Sequence, residues 1–260
     1  MRCVMGALAL LLVTGCSTLD VRKDAVAGVK TAAIAGYGAQ YELTPKGATA
    51  GSKQGLFDTV NAVRDLKKAA DGDTGAERVA QAEHAVDHLG KALHELVGWQ
   101  VKARDDVAAN ADYSTWRDEE RSSLANASQA LGGMTMVPGV ALAWAARDLK
   151  TSERDALMTA LEVDALIVVD VLYRIGDSSG MTIGGIGKKT YFPEAVVKMT
   201  VYAKGDKEPI WDDRWAEGSP AGDGFDQTVG VKTDDRLDSA IRQASENGVK
   251  ALVKRYREAD

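Results

Sequence analysis

The sequence has 260 residues, of which 45% are hydrophobic, and its 32 basic and 38 acidic residues give a net charge of −6. This length suits one large domain, or one domain with a sizeable insertion, and the apolar content is sufficient for a substantial core. The acidic balance excludes the basic footprint of a nucleic-acid-binding protein, and no basic block indicates docking on anionic lipid.

The chain opens with Met1-Arg2, followed by a run from Val4 to Val13 that contains no charge. A short basic start followed by about 7–15 apolar residues is typical of a secretory signal peptide. A helix that crosses a bilayer needs roughly 20 apolar residues, so this run is too short to span one. We therefore predict that residues 1–15 are a signal peptide.

Val13-Thr14-Gly15-Cys16 resembles the bacterial lipobox, an aliphatic residue, a small one, Gly or Ala, and then Cys. The resemblance implies that the Cys16 thiol takes a diacylglycerol, that the chain is cut between Gly15 and Cys16, and that the freed amine is acylated. Three acyl chains, at ~0.8 kcal/mol per buried CH₂, hold a protein far more firmly than one. The alternative is a cysteine that ends an ordinary signal peptide.

In lipoproteins of this kind, a serine after the lipidated cysteine, here Ser17, permits export to the outer membrane. The resemblance thus implies an outer-membrane protein that faces the periplasm and contacts the membrane through Cys16 alone. Removal of 1–15 leaves 245 residues with 31 basic and 38 acidic side chains, a net charge of −7. The one remaining cysteine is the acylated one, so packing must supply the stability of the domain.

Residues 16–28 are expected to form a lipidated tether, and 29–260 a single periplasmic domain. In chain order the first half predicts a strand at 29–43, amphipathic helices at 53–70 and 76–97, a short strand at 99–102, a polar helix at 115–130 and a flexible connection at 131–139.

In the second half, Ser152 and Asp155 have the spacing of a capping box that opens a short helix. The strand predicted at 164–175 is apolar on both faces, which is typical of an interior strand covered on both sides. A strand at 197–203, a turn and its hairpin partner at 210–218 follow, and a helix at 235–257 ends the chain.

This order predicts an α/β (α+β) sandwich: a mixed central sheet with a carboxy-terminal strand meander, covered by helices, and a long helical insertion at about 53–150. The segments KTAAIAGY, LEVDALIVVDVLYRI and AVVKMTVYAKGDKEPIWDDRWAEG, followed by a helix, resemble periplasmic lipoprotein domains of the curli-secretion type. They also resemble the TolB amino-terminal domain and penicillin-binding-protein activators. The resemblance implies a non-catalytic binding or accessory module for another envelope protein or a cell-wall synthase.

Two histidines four residues apart, His84 and His88, point the same way on the helix at 76–97, and Glu95 joins their stripe. Such a pair can ligate zinc, but Lys91 lies among these residues and the HExxH pattern is absent. Because the stripe lies opposite the apolar face, we expect it to face solvent and hold no metal. The alternative is a metal-dependent envelope enzyme that uses this pair.

Other candidate chemistry is weaker. The glycine-rich segment 180–192 lacks the spacing of a phosphate-binding loop and is expected to be a mobile hairpin loop. Asp170 interrupts an apolar strand, where it is either catalytic or paired with Arg174, four residues on and on the same face. No Ser-His-Asp or Cys-His set can be assembled, so we expect no enzyme and no cofactor beyond the lipid.

Aromatic residues supply the partner-binding candidates. Tyr113 and Trp116 begin the polar helix, which we expect to be a weakly held surface offered to a partner; the alternative is an ordered cap docked through Trp116, Leu124 and Trp144. Trp211 and Trp215 share one side of a strand with Asp213, as either a recognition patch or core. The partner is expected to be an envelope protein, and an accessory subunit of an outer-membrane export assembly is a further alternative.

Overall fold

A computed structural model describes residues 18–45, 75–124, 134–135, 137–183, 186–227 and 236–259. The helix predicted at 53–70 and the residues Gly15 and Cys16 lie outside this part. The strands are β1 (Leu19–Val21), β2 (Thr31–Pro45), β3 (Gln100–Val101), β4 (Met134–Thr135), β5 (Ala165–Ile183), β6 (Ile186–Ala203), β7 (Trp211–Glu217) and β8 (Phe225–Gln227). The helices are α1 (Lys23–Gly28), α2 (Gly75–Val97), α3 (Arg104–Ala109), α4 (Ala111–Leu124), α5 (Ala143–Asp148), α6 (Thr151–Ala160) and α7 (Arg236–Glu258).

The strands form one mixed sheet in the order β1-β7-β6-β5-β2-β3, with β4 paired to β2 and β8 to β6. The β5, β6 and β7 strands are a consecutive antiparallel meander, whereas β2 runs parallel to β5 on its other side. The predicted mixed sheet with a carboxy-terminal meander is therefore confirmed. So is the interior position of β5, whose side chains are apolar on both faces because both faces are covered.

The first face of the sheet packs against the two long helices. Inward-facing side chains of β5 and β6, such as Val169 and Met199, meet the apolar stripes of α2 and α7 in one continuous core. The α2 stripe has Val86, Leu89 and Leu93 at helical spacing, all buried. Both helices are amphipathic because one stripe of each lies against the sheet.

The second face packs against shorter helices over part of its area. Leu166 and Val168 of β5 lie in a second core with residues of α3, α4, α5 and α6, including Tyr113 and Met158. Helices on both sides make a three-layer α/β sandwich. None of the helices in the described ranges combines the length and the apolar character needed to cross a membrane.

Residues 19–28 were expected to belong to the tether, but they are part of the folded domain. The β1 strand pairs antiparallel with β7 at the sheet edge, with Leu19 opposite Asp213. The α1 helix follows it and buries Val26 completely, and the Trp99 indole donates a hydrogen bond to the Val26 carbonyl at 3.1 Å. Three residues of strand give no readable alternation, so the sequence contained little signal for β1.

A close approach of α7 to the sheet depends on two glycines. A Cβ atom on Gly218, just after β7, would lie 2.5 Å from the backbone nitrogen of Gly248 in α7. A Cβ atom on Gly248 would lie 2.8 Å from a methyl group of Val197 in β6. Such distances exclude a side chain, so this pair fixes how near α7 packs.

Two local predictions were wrong. The first was the capping box of Ser152 and Asp155. The α6 helix begins earlier, at Thr151, and the Glu153 carboxylate accepts a hydrogen bond from the Lys150 amide at 2.8 Å. Asp155 instead accepts from the Gly205 amide at 2.9 Å. The segment 180–192 was expected to be a mobile hairpin loop, but its residues 180–183 and 186–192 belong to β5 and β6, which pair as far as Ile183 and Ile186. Backbone pairing with β6, and not side-chain pattern, extends β5 beyond Ile175.

Candidate functional site

A bulge in β7 places Trp215 on the second face of the sheet. Val197 lies opposite Ala216 and Met199 opposite Asp213, so Lys198 alone faces the two residues Arg214 and Trp215. A bulge of this kind re-aims side chains. Trp211 and Asp213 are fully buried on the first face, whereas Trp215 is 37% exposed and is the one exposed large apolar side chain among the described residues. The expectation that all three share one side was therefore wrong.

Two cations lie over the exposed indole. The Arg174 guanidinium carbon is 5.3 Å from the ring centroid, and the Lys198 ammonium nitrogen is 5.7 Å from it. The indole nitrogen donates a hydrogen bond to Glu217 at 2.9 Å. These contacts fix the orientation of the ring, because cation–π attraction and the hydrogen bond act on different parts of it.

Carboxylates on neighbouring strands hold Arg174 in place. Arg174 forms ion pairs with Glu194 of β6, which is almost fully buried, and with Glu217 of β7 at 2.8 Å. Partial burial lowers the pKa of the Arg174 guanidinium, but the hydrogen bond and charge of Glu194, together with Glu217, outweigh it and raise the pKa above its ordinary value. Arg174 therefore stays charged and joins β5, β6 and β7.

An ion pair between Arg214 and Asp212 lies next to these residues. The Asp212 carboxylate accepts from Arg214 at 2.7 Å and from the Thr200 hydroxyl at 3.1 Å. We define the Trp215 surface as the group of Trp215, Arg174, Lys198, Arg214, Glu194, Glu217 and Asp212. Its three cations and three carboxylates balance, and its aromatic centre is exposed, which is a combination typical of protein-recognition surfaces.

Asp170 lies on the same face of β5, opposite Lys198 in the register. Its ion-pair partner is Arg147 of α5, not Arg174 as expected from the strand alone. The reason is that α5 packs across β2 and β5, while Glu194 and Glu217 engage Arg174. Asp170 thus holds a helix on the sheet, which is a structural contact.

Thr18 lies beside the Trp215 surface. Its carbonyl accepts a hydrogen bond from the Arg214 amide at 2.8 Å, next to the bulge. Its hydroxyl accepts from the Arg255 guanidinium at 2.8 Å, and Arg255 also donates to buried Asp213 at 2.9 Å. One arginine thereby joins α7, β7 and the residue before β1.

The histidine pair faces helix α7, so the prediction that it faces solvent was wrong. The His84 and His88 rings stack with centroids 6.1 Å apart, and His84 Nε2 lies 3.4 Å from a Glu246 carboxylate oxygen on α7. Burial lowers the pKa of His88, and this effect exceeds the opposing charge of Glu246. Among the described residues no three His, Cys, Asp or Glu side chains are grouped to hold a metal ion.

Glu95 lies apart from the pair, in a cleft of about 390 Å³ at the sheet edge beside β3. The cleft is lined by apolar Ile34, Trp99 and Val101 and by charges of both signs, including Lys91. Its acidic and histidine side chains do not form a group of three that could hold a metal ion, as far as the described residues go.

No protein-family model and no curated protein matches this sequence.

The other partner-binding candidates differ in accessibility. Tyr113 is fully buried, with its hydroxyl donating to the Ala35 carbonyl at 2.7 Å and accepting from the Ala141 amide at 2.9 Å. Trp116 is half-buried against the same core, so these two side chains dock α4 on the domain. The side chain of Leu124 lies outside the described part. Trp211 belongs to the core. Of the four aromatic candidates, Trp215 is thus the one that is exposed.

Sequence reasoning missed the residues around Trp215. Arg174, Lys198, Glu194 and Glu217 are spread over three strands, and only the register brings them together. The one available signal was the grouping of two tryptophans with four charged residues within WDDRWAE.

Proposed function

We propose that this chain is a lipid-anchored protein of the bacterial cell envelope that acts by binding another envelope protein, not by catalysis. The observation that carries the proposal is the Trp215 surface, an exposed indole oriented by two cations inside a balanced set of ion pairs. Tryptophan and arginine are the residue types most often found as binding hot spots.

The anchor in this proposal is Cys16. Its support is the apolar run that precedes it and the lipobox-like Val13-Thr14-Gly15-Cys16. Ser17 supports placement in the outer membrane, facing the periplasm. Thr18, two residues after Cys16, is already bound to the folded domain through Arg214 and Arg255.

The arrangement of charges supports binding over catalysis. Asp170 is engaged by Arg147, and the His84–His88 pair packs against Glu246 between two helices. Each of these groups has a structural partner that accounts for its position. A reaction would need a carboxylate or imidazole aimed at a substrate site.

The test is Trp215→Ala, with Lys91→Ala on the opposite face as a matched control. Both variants should fold, because an exposed side chain contributes little to stability and the lost cation–π contacts are worth only about 0.5–1 kcal/mol each. Crosslinking in intact cells should show a protein adduct in the parent and the control that is lost in Trp215→Ala. Retention of every adduct in a folded Trp215→Ala protein would refute binding through this surface.

A further inference from the structure

Thr18, which lies beside the Trp215 surface, is close along the chain to Cys16, the proposed attachment point of the lipid. Thr18 lies opposite Arg214, and Trp215 is the next residue of β7. Cys16 precedes Thr18 by two residue steps, with Ser17 between them, and an extended chain spans at most about 3.3–3.6 Å per residue, so Cys16 lies within about 7 Å of Thr18. Adding one strand spacing and one residue step brings Trp215 to within about 20 Å of the acylated sulfur.

The first residues of the domain are fixed to it. The Arg22 amide donates to the Ile210 carbonyl at 2.9 Å, and the Arg22 guanidinium forms an ion pair with Asp206 at 3.3 Å. The pairing of β1 with β7, the Arg255–Thr18 hydrogen bond and the burial of Val26 add to this. Extending the tether would require breaking all of these contacts together.

We infer that the partner of the Trp215 surface is a protein seated in the same membrane as the lipid anchor, contacted at the membrane surface. The inference rests on the proposed function, because it needs both lipidated Cys16 and binding through Trp215. A partner in the opposite membrane would require a long tether between Cys16 and the domain, whereas Thr18, two residues after Cys16, is already bound to the domain.

The charges of the surface favour a protein over the bilayer itself. Anionic headgroups would attract Arg174, Lys198 and Arg214 but repel Glu194, Glu217 and Asp212, which lie among them. Arg174 is already paired with two of these carboxylates. A protein can present a pocket for the indole and a rim of both signs, which matches a balanced surface.

The short tether gives this arrangement its affinity. Once the lipid and the partner share a membrane, the Trp215 surface meets the partner almost as in an intramolecular reaction. The effective concentration of this surface at the partner falls as the tether lengthens. A modest surface such as this one can therefore be occupied without tight binding in solution.

The experiment combines a photocrosslinker beside the Trp215 surface with a tether insertion. Exposed Asp20, which pairs with Asp212 in the register, is replaced by p-benzoylphenylalanine in the full chain in cells, with and without ~30 Gly/Ser residues inserted between Ser17 and Thr18, which span about 30 Å on average. We expect an adduct to a protein that stays in the membrane on alkaline carbonate extraction, and a loss of yield of about ten-fold on insertion. The same crosslinker in place of Lys91 should not form this adduct.

The outcomes separate the inference from the proposed function. A protein adduct that is extracted by carbonate, or whose yield is unchanged by the insertion, would overturn the inference and leave binding at Trp215 intact. Adducts to lipid alone, also formed by the purified lipidated protein in phosphatidylethanolamine–phosphatidylglycerol vesicles, would overturn it in favour of the bilayer. Absence of acyl groups on Cys16 by mass spectrometry, no adduct from the crosslinker at Asp20, or an adduct that Trp215→Ala leaves unchanged would overturn the proposed function itself.

Discussion

Replacing Asp213 by alanine should destabilise the domain strongly, because this carboxylate is fully buried and accepts three hydrogen bonds. Arg255 donates to its two oxygens at 2.9 and 3.2 Å, and the Trp215 amide donates at 3.1 Å. Arg255 in turn holds Thr18. The substitution therefore leaves a guanidinium and an amide without their acceptor at the junction of β1, β7 and α7.

Removing one partner of a buried ion pair costs about 3–5 kcal/mol. The Arg255 side chain is 30% exposed, so water replaces part of the lost interaction and we expect about 3 kcal/mol, the lower end of that range. Asp213→Asn keeps an acceptor for the Trp215 amide, so it should cost less than Asp213→Ala. Replacing Arg255 by methionine together with Asp213→Ala should recover about 1–2 kcal/mol, because no unpaired charge is then left behind.

Urea unfolding of the domain from residue 16, carrying Cys16→Ser, measures these differences. The midpoint should fall with an unchanged slope, and the melting temperature should drop by about 6–12 °C for Asp213→Ala. A loss below 1 kcal/mol, or a double variant less stable than the two single variants together, would show that the Asp213–Arg255 pair is not what joins α7 to the sheet edge.

Four further expectations concern the anchor, the interior strand, α4 and the histidine pair. Cys16→Ser should abolish palmitate labelling and release the protein from membranes, since the thioether cannot form; labelling that persists would contradict the lipobox hypothesis. Val169→Asp should unfold the domain because it buries an unpaired charge in β5, and an unchanged melting temperature would contradict the packing described. Tyr113→Phe should lower the free energy of unfolding by about 2 kcal/mol, because it leaves the Ala35 carbonyl and the Ala141 amide without a hydrogen-bond partner. The backbone amide hydrogens of α4 should exchange slowly with solvent in the isolated protein, the reverse of what its polar sequence predicted. Burial holds the pKa of His88 below its ordinary value, so the unfolded chain takes up a proton at this residue before the folded protein does, as the pH falls through about 6.5. The free energy of unfolding should therefore decrease below neutral pH. His88→Gln should weaken that dependence in urea titrations at pH 7.5 and 5.5.

The long elements were predictable because their patterns are strong. The α2 and α7 helices carry apolar stripes over 23 residues each, and β5 is apolar on both faces over its first half. Short elements such as β1, α1 and β8 were missed, since three to six residues do not show a period. Their positions are set by tertiary pairing with β7 and β6 and by the burial of Val26.

The Trp215 surface could not be predicted for a related reason. Strict alternation places Trp215 with Trp211 and Asp213, and the bulge opposite Lys198 breaks that alternation by one residue. Ion-pair partners were equally out of reach, because Asp170 is engaged from α5 and Arg174 from two other strands. Sequence identifies the residue types, whereas the register decides which of them meet.

The pairing of β1 with β7 also sets an order of folding. Leu19 and Asp213 are about 190 residues apart, so the edge strand must wait for almost the whole chain before it can pair. Contacts of such long separation form late, because loop closure is unfavourable until other contacts have shortened the loop. The β5–β6 hairpin joins neighbouring segments and should form first. Under the proposed function the chain is exported, and β1 is then among the first parts of the domain to emerge and the last to fold. Lipidation of Cys16 would accordingly precede the pairing of β1 with β7.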